Sequence, residues 1–276
     1  MARLTFLGTG GGRFTTMFQA RSTGGFLLEC GDSRIHIDPG PGALTNMCQI
    51  GYDLRRTDAV VISHCHPDHY SDAQVIIEGM TNGGWLKRGS VFGSVTAIDG
   101  DCGLGPMLTP YHRDLPHDCT PLRPGNRVSI AGVDTEVTRS DHTDQTAIGF
   151  RFHTDNSILS YVTDTYYSDD IAEQYIGSRV LLLPITTPSG RRIKGHMCTD
   201  DAVSFLEIVR PEVCIFVHLG IEILRRGPDG QAKKVQDATG IKTVAAEDLM
   251  TIDIDDTIAF GKAVLKGDGW NDAWNH

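Results

Sequence analysis

An apolar run, Asp58–Ser63 (DAVVIS), leads straight into His64-Cys-His-Pro-Asp-His69. A buried-type strand that ends in three imidazoles and a carboxylate within six residues narrows the fold sharply. Those side chains are costly to pack behind such a strand unless something binds them. Neutral His and carboxylate are the donors that suit zinc, iron and manganese. Pro67 stops the strand, so Asp68 and His69 face a different direction from His64 and His66. Cys65 alternates with the two His at the strand end and is expected to point away from them. The plain alternative is a solvated polar loop, but polar loops rarely gather His this densely.

Composition excludes several classes. With 276 residues, 40% hydrophobic and 22% charged, the chain is globular, not a disordered tail, a collagen or a coiled coil. The net charge of −10 works against a protein that grips nucleic acid through its phosphates. No apolar run reaches the ~20 residues of a membrane span. The N-terminus, MARLTFLGTGGG, lacks the apolar stretch of a signal peptide. The expectation is a cytoplasmic protein with no membrane partner. Its seven cysteines are scattered and form no CxxC pair, which reads as reduced thiols.

The chain reads as one domain over 1–276, with an irregular insertion at about 81–126 and a frayed tail at about 267–276. Strands are expected at Ala2–Leu7, at the hairpin Gly25–Glu29 and Arg34–Asp38, and at Asp58–Ser63. Further strands are expected at Arg127–Ile130, Thr135–Ser140, Ala147–His153, Ser157–Thr163, Arg179–Pro184, Glu212–His218, Thr243–Ala245 and Met250–Ile254. Helices are expected at Pro41–Ile50, Ser71–Met80, around Ser168–Ile176, at Thr199–Val209 and at Gln231–Thr239, with a helical turn at Ile221–Leu224. The insertion is rich in Gly, Pro and turn residues, holds one or two strands over Ser90–Ile98, and has the look of a lid.

Three single candidates stand at the ends of other apolar strands: His142 after Thr135–Ser140, Asp164 after Ser157–Thr163, and His218 at the end of EVCIFVH. With Asp38 after an earlier strand and the HxHxDH run, they fall in an order that resembles the metallo-β-lactamase superfamily, from Leu4 to about Leu224. FLGTGGGR, TGGFLL and IDPGPG are most similar to its branch containing tRNase Z and related phosphodiesterases. His196 in GHMCTDDA resembles a His of that branch that precedes the last metal ligand.

The resemblance implies an α/β fold, the αββα sandwich. It implies two divalent metal ions, zinc first, with manganese or iron as alternatives. His64, His66 and His142 would hold one ion, and Asp68, His69 and His218 the other. Asp164 would bridge them, and Asp38 would orient a ligand His. A hydroxide clamped between the metals would attack phosphorus or carbonyl carbon, with Asp68 able to accept a proton. His196 is the candidate general acid, its alternative being a structural residue at a helix N-terminus. Arg191, Arg192 and Lys194 form a local basic cluster suited to an anionic substrate, or an ordinary solvated loop.

The favoured function is a dinuclear phosphodiesterase acting on a small or nucleotide-like substrate. Folded tRNA is disfavoured by charge and by the lack of a long basic arm. A lactone or thioester hydrolase is the alternative within the same chemistry, and a mononuclear iron dioxygenase the alternative outside it. A homodimer is an open option. Two side features complete the reading. Gly8–Gly12 is either a phosphate cradle or a tight turn. Cys102, His112, His117 and Cys119 sit at a spacing that fits no standard zinc finger.

Overall fold

Ala2, Leu4 and Phe6 share one face of the first strand and join a single buried cluster. Leu7, just past its end, falls into another. That alternation organises the whole computed structural model, which describes residues 1–155 and 157–266. The tail expected at 267–276 lies outside the described residues.

Among them, strands β1 (Ala2–Phe6), β2 (Phe26–Cys30), β3 (Ser33–Ile37), β4 (Ala59–Ile62), β5 (Ser90–Ser94) and β6 (Asp118–Leu122) belong to one sheet. Strands β7 (Arg127–Ile130), β8 (Val133–Arg139), β9 (Ile148–Thr154), β10 (Ser157–Tyr161), β11 (Val180–Pro184), β12 (Val213–Val217) and β13 (Lys242–Ala245) form the second. The chain then returns to the first with β14 (Met250–Ile254) and β15 (Ile258–Lys262), giving the order β15-β14-β1-β2-β3-β4-β5-β6. The helices are α1 (Arg13–Phe18), α2 (Ala43–Gln49), α3 (Pro67–Tyr70), α4 (Ala73–Met80), α5 (Val95–Ile98), α6 (Pro110–Asp114), α7 (Asp169–Glu173), α8 (Thr199–Val209), α9 (Ile221–Arg226) and α10 (Pro228–Thr239).

Three buried layers follow from side-chain parity. The inner one holds Phe6, Phe26 and Ile35 of the first sheet against Phe150, Phe152 and Ile215 of the second. Outside the second sheet, Leu181, Leu183 and Phe216 pack under Phe205, Leu206 and Val235 of α8 and α10. Outside the first, Val60 and Ile62 pack under Ile76, Ile77 and Met80 of α4. The result is the αββα sandwich. Strands β4, β11 and β12 are apolar on both faces because they are covered on both faces. Each large side chain buried this way stabilises by about 1.5–3 kcal/mol relative to exposure. Truncating Phe150 to Ala at the centre would cost about 3–5 kcal/mol.

Strands β3, β4, β5 and β6 pair in parallel, as do β10, β11, β12 and β13. Parallel neighbours send their carboxyl ends to the same side, so chemistry carried on successive strand ends collects there.

Three local expectations change. Segment 81–126 supplies β5 within the span expected for one or two strands and a second strand, β6, beyond it, and both extend the first sheet in parallel. The strand expected over Ser90–Ile98 ends at Ser94, whose hydroxyl accepts from the Ala97 N–H and caps α5. Strand β6 hides behind its Pro121, a residue tolerated at a sheet edge. Residues 13–18, inside the stretch after the Gly-rich turn, form a short helix with no counterpart in the sequence reading.

Candidate metal centre

Asp38 follows β3 and adopts φ 52°, and His218 follows β12 with φ 52°. Left-handed backbone is unfavourable for residues with a Cβ and persists where the surroundings over-determine it. Both surroundings do. Asp38 accepts hydrogen bonds from the Ser63 N–H and hydroxyl (2.6 Å each), from His69 Nδ1 (2.8 Å) and from the Tyr161 hydroxyl (2.8 Å). His218 is gripped by Thr186 Oγ1 at 3.0 Å from its Nδ1. A side chain on Gly11 would start 2.1 Å from the His218 ring, so only glycine fits there.

The other rings are pinned in the same manner, each by its outward nitrogen. His64 Nδ1 donates to Ser63 Oγ at 3.0 Å, and His142 Nδ1 donates to the Gly195 carbonyl at 2.8 Å. His66 Nε2 meets Thr143 Oγ1 at 3.3 Å. The inward nitrogens then converge. His66 Nδ1 lies 3.0 Å from His64 Nε2 and 3.1 Å from His142 Nε2. Asp164 Oδ2 sits at the centre of the site. It is 3.1 Å from His218 Nε2, 3.5 Å from His196 Nδ1, 3.7 Å from His69 Nε2, and 3.9 Å from both His64 and His142 Nε2. Asp68 Oδ2 stands 3.3 Å from His218 Nε2 and accepts from the Gly12 N–H at 2.8 Å.

These donors resolve into overlapping groups: His64, His66, His142 and Asp164; Asp68, His69 and His218; and Asp164, His196 and His218. Two buried donor atoms, His69 Nε2 and Asp164 Oδ1, have no hydrogen-bond partner among the described residues. Buried polar atoms are rarely left unpaired, and a cation would satisfy both. The electrostatics agree. Burial would raise the Asp164 carboxyl, but His218 and His196 hold it well below the usual range. Burial likewise opposes His69 and His218, yet Asp68 and Asp38 lift the first well above its ordinary value, and Asp164 lifts the second to about 9. His64 is pushed well down by burial and then by His69, and His66 down by burial and by His142. The carboxylates thus demand positive charge, which protons or divalent cations can supply, so metal uptake here would release protons.

Several sequence candidates fall elsewhere. Every N–H from Gly8 to Gly12 is already spent, on Gly25 O, Asp248 Oδ1, Ser22 O, Leu219 O and Asp68 Oδ2 in turn, so the loop is no phosphate cradle. The basic cluster splits. Arg192 pairs with Asp201 of α8 at 2.7 Å, while Arg191, itself paired with Glu222 at 2.7 Å, and Lys194 line the cavity over the site. His112 bonds Thr109 and Glu78, and neither it nor Cys102, His117 or Cys119 joins a donor group among the described residues. Cys65 is also outside those groups, and its N–H donates to Asp144. His196 borders the cavity, and burial pushes it down to about 4.

Sequence reading missed the residues that hold the ligands: Ser63, Tyr161, Thr186 and Asp144. Asp144 braces the HxHxDH loop through the Cys65 N–H (3.0 Å) and is tied to Thr96 Oγ1 (3.0 Å). Polar residues at the ends of otherwise apolar strands were the available signal.

The description "Beta-lactamase superfamily domain" fits residues 33–219, and the chain belongs to that family. It is an enzyme of the metallo-β-lactamase fold, a hydrolase with a candidate His/Asp metal cluster. The chain is 34% identical to "Uncharacterized protein MJ1374" of Methanocaldococcus jannaschii over 88% of this chain and 91% of that one. It is 28% identical to ribonuclease Z of Bradyrhizobium sp. over 55% of this chain and 50% of that one. The structure of the metallo-β-lactamase fold protein YhfI from Bacillus subtilis superposes with TM-score 0.76 at 17% identity, covering 94% and 99% of the two chains. A diphosphatase of the PhnP family does so with TM-score 0.68 at 17% identity, covering 92% and 98%. No helix among the described residues is long and apolar enough to cross a membrane.

Proposed function

We propose that the protein is a two-metal phosphodiesterase acting on a small anionic substrate. The carrying observation is the single oxygen, Asp164 Oδ2, within 3.9 Å of ring nitrogens from five histidines. One carboxylate so placed suits a shared ligand between a His64/His66/His142 set and an Asp68/His69/His218 set. When bound, divalent ions supply Lewis acidity toward a phosphoryl oxygen and lower the pKa of water.

The chain's own residues do the rest. Asp38, Ser63, Thr186 and the Gly195 carbonyl fix which nitrogen of each ring faces inward. The His69 and His218 charges outweigh burial and keep Asp68 ionised, able to accept a proton from the nucleophile. Burial holds His196 below its ordinary value, at about 4, which favours the uncharged ring in the free protein. The negative charge of a bound phosphodiester raises its proton affinity, so the ring becomes a donor to the leaving oxygen only with substrate present. Lys194 and Arg191 at the cavity mouth, with the ribonuclease Z and diphosphatase likenesses, favour phosphoesters over lactones or thioesters.

The test is hydrolysis of bis-p-nitrophenyl phosphate beside a lactone and a thioester, for wild type and His196→Ala. The proposal expects diester cleavage that falls by roughly 10²–10⁴-fold in the variant, the range of general acid–base catalysis. Cleavage of only the lactone or thioester would replace the phosphodiester reading.

A further inference from the structure

Helix α1 is inside out. Its one buried residue, Thr15, faces the protein and donates to the Leu219 carbonyl at 3.3 Å. Phe14, Met17 and Phe18 stand at i, i+3 and i+4, one helical face, and are 57%, 67% and 67% exposed. Six residues hold this face in place because both ends are anchored. Gly11 and Thr9 pair with Leu219, and Asp248 accepts from the Thr9 and Ser22 N–H groups. The backbone that carries the apolar face is therefore anchored on both sides.

Two of its three side chains, Phe14 and Met17, are presented over the candidate metal centre. Phe14 and Met17 line the same cavity, of about 630 Å³, as His66, Asp68 and His196, and Ile193, 38% exposed, borders it too. That volume falls in the range of about 300–1,000 Å³ that holds drug-sized ligands. Arg13 stands beside Phe14 on the cavity wall. The cavity thus has a floor that would attract an anion once divalent ions fill the donor groups, and an apolar wall with cations at its edge.

We infer that this wall selects the substrate: Phe14 and Met17 pack against a flat aromatic group on the side of the phosphodiester that does not leave. The inference rests on the phosphodiesterase reading and adds to it a recognition element that the donor cluster does not contain. A ring on this side stacks on Phe14 and the Met17 thioether while the diester sits on the floor. Phe14 and Met17 belong to none of the donor groups and act on substrate affinity.

The experiment uses three diesters that share the p-nitrophenolate leaving group: methyl, phenyl and thymidine-5′ p-nitrophenyl phosphate. In the wild type, kcat/KM for the phenyl and thymidine diesters exceeds that for the methyl diester by about tenfold or more, as aromatic stacking supports. In Phe14→Ala that ratio drops by about tenfold through KM, Met17→Ala shows a smaller drop, and Phe14→Tyr retains it. An elevated phenyl ratio alone assigns the wall to a plain aryl group, and an elevated thymidine ratio as well assigns it to a nucleoside. Equal rates on all three diesters, or a ratio unchanged in Phe14→Ala, overturn the inference while leaving the phosphodiesterase reading intact. Cleavage of none of the three overturns both.

Discussion

The floor and the rim of the cavity are built by opposite rules. On the floor, His64, His69, His142, Asp164 and His218 are buried, and each ring is fixed by a named partner. On the rim, Phe14, Met17, Arg191 and Lys194 are exposed, and Arg191 is held by one surface ion pair. The floor cannot shift without breaking several hydrogen bonds in a low-dielectric interior, where unpaired groups are expensive. The exposed side chains of the rim shift at little cost, although the α1 backbone under Phe14 and Met17 is anchored. Reaction type is thus invested in the rigid part and substrate choice in the adaptable part.

The floor predicts the larger effects. Asp164→Asn removes the charge shared by both donor sets, and metal content and diester hydrolysis should fall further than for any change around it. Asp38→Asn keeps the shape but weakens the hold on His69. It should cost roughly 10–100-fold in metal affinity, measured by chelator competition. An Asp38→Asn protein that binds metal like wild type would erase the distinction between an over-determined floor and its surroundings.

Under the floor, His36 tests the buried half by pH. Its Nε2 donates to the Gly24 carbonyl at 2.9 Å, and burial pushes it from an ordinary 6.5 down to about 4. Below pH 6.5 the unfolded chain takes up a proton that the folded chain refuses until about pH 4. Stability attributable to this residue is therefore full above 6.5 and lost as pH falls through that window, by about 3 kcal/mol. Urea unfolding of wild type and His36→Gln at pH 7 and pH 4.5 checks it. The variant should lose part of the acid sensitivity, and an identical acid loss in both would contradict the assignment.

The rim predicts the smallest effects. Lys194→Gln should raise KM by about two- to fivefold, as for an exposed charge, and salt should mask the change. Arg192→Gln should leave KM unchanged, because its guanidinium is committed to Asp201. A large loss in either would move the rim into the machinery.

What could be read from the sequence divides along the same line. The HxHxDH run was visible because its four groups are contiguous behind one apolar strand. His142, Asp164 and His218 were visible because each follows such a strand: β10 and β12, before Asp164 and His218, run parallel through β11, and two antiparallel steps through β9 bring the end of β8, before His142, to the same side. Ser63, Thr186 and Tyr161 were not, because their roles depend on partners brought close only by packing: Tyr161 meets Asp38 across 123 positions. Helix α1 was hidden by the Gly-rich turn before it and by an apolar face that points outward, the reverse of the pattern that marks a surface helix. Strand β6 was hidden by Pro121, and the fate of Arg192 by a partner on α8.

The most direct test of the central claim is the metal-to-protein ratio of the purified chain, loaded with zinc, dialysed and measured by elemental mass spectrometry. Two equivalents per chain is the predicted result, with Asp164→Asn retaining fewer. A chain that holds no metal would contradict the account. So would one that holds a single iron and consumes oxygen with a persulfide, the mark of a dioxygenase.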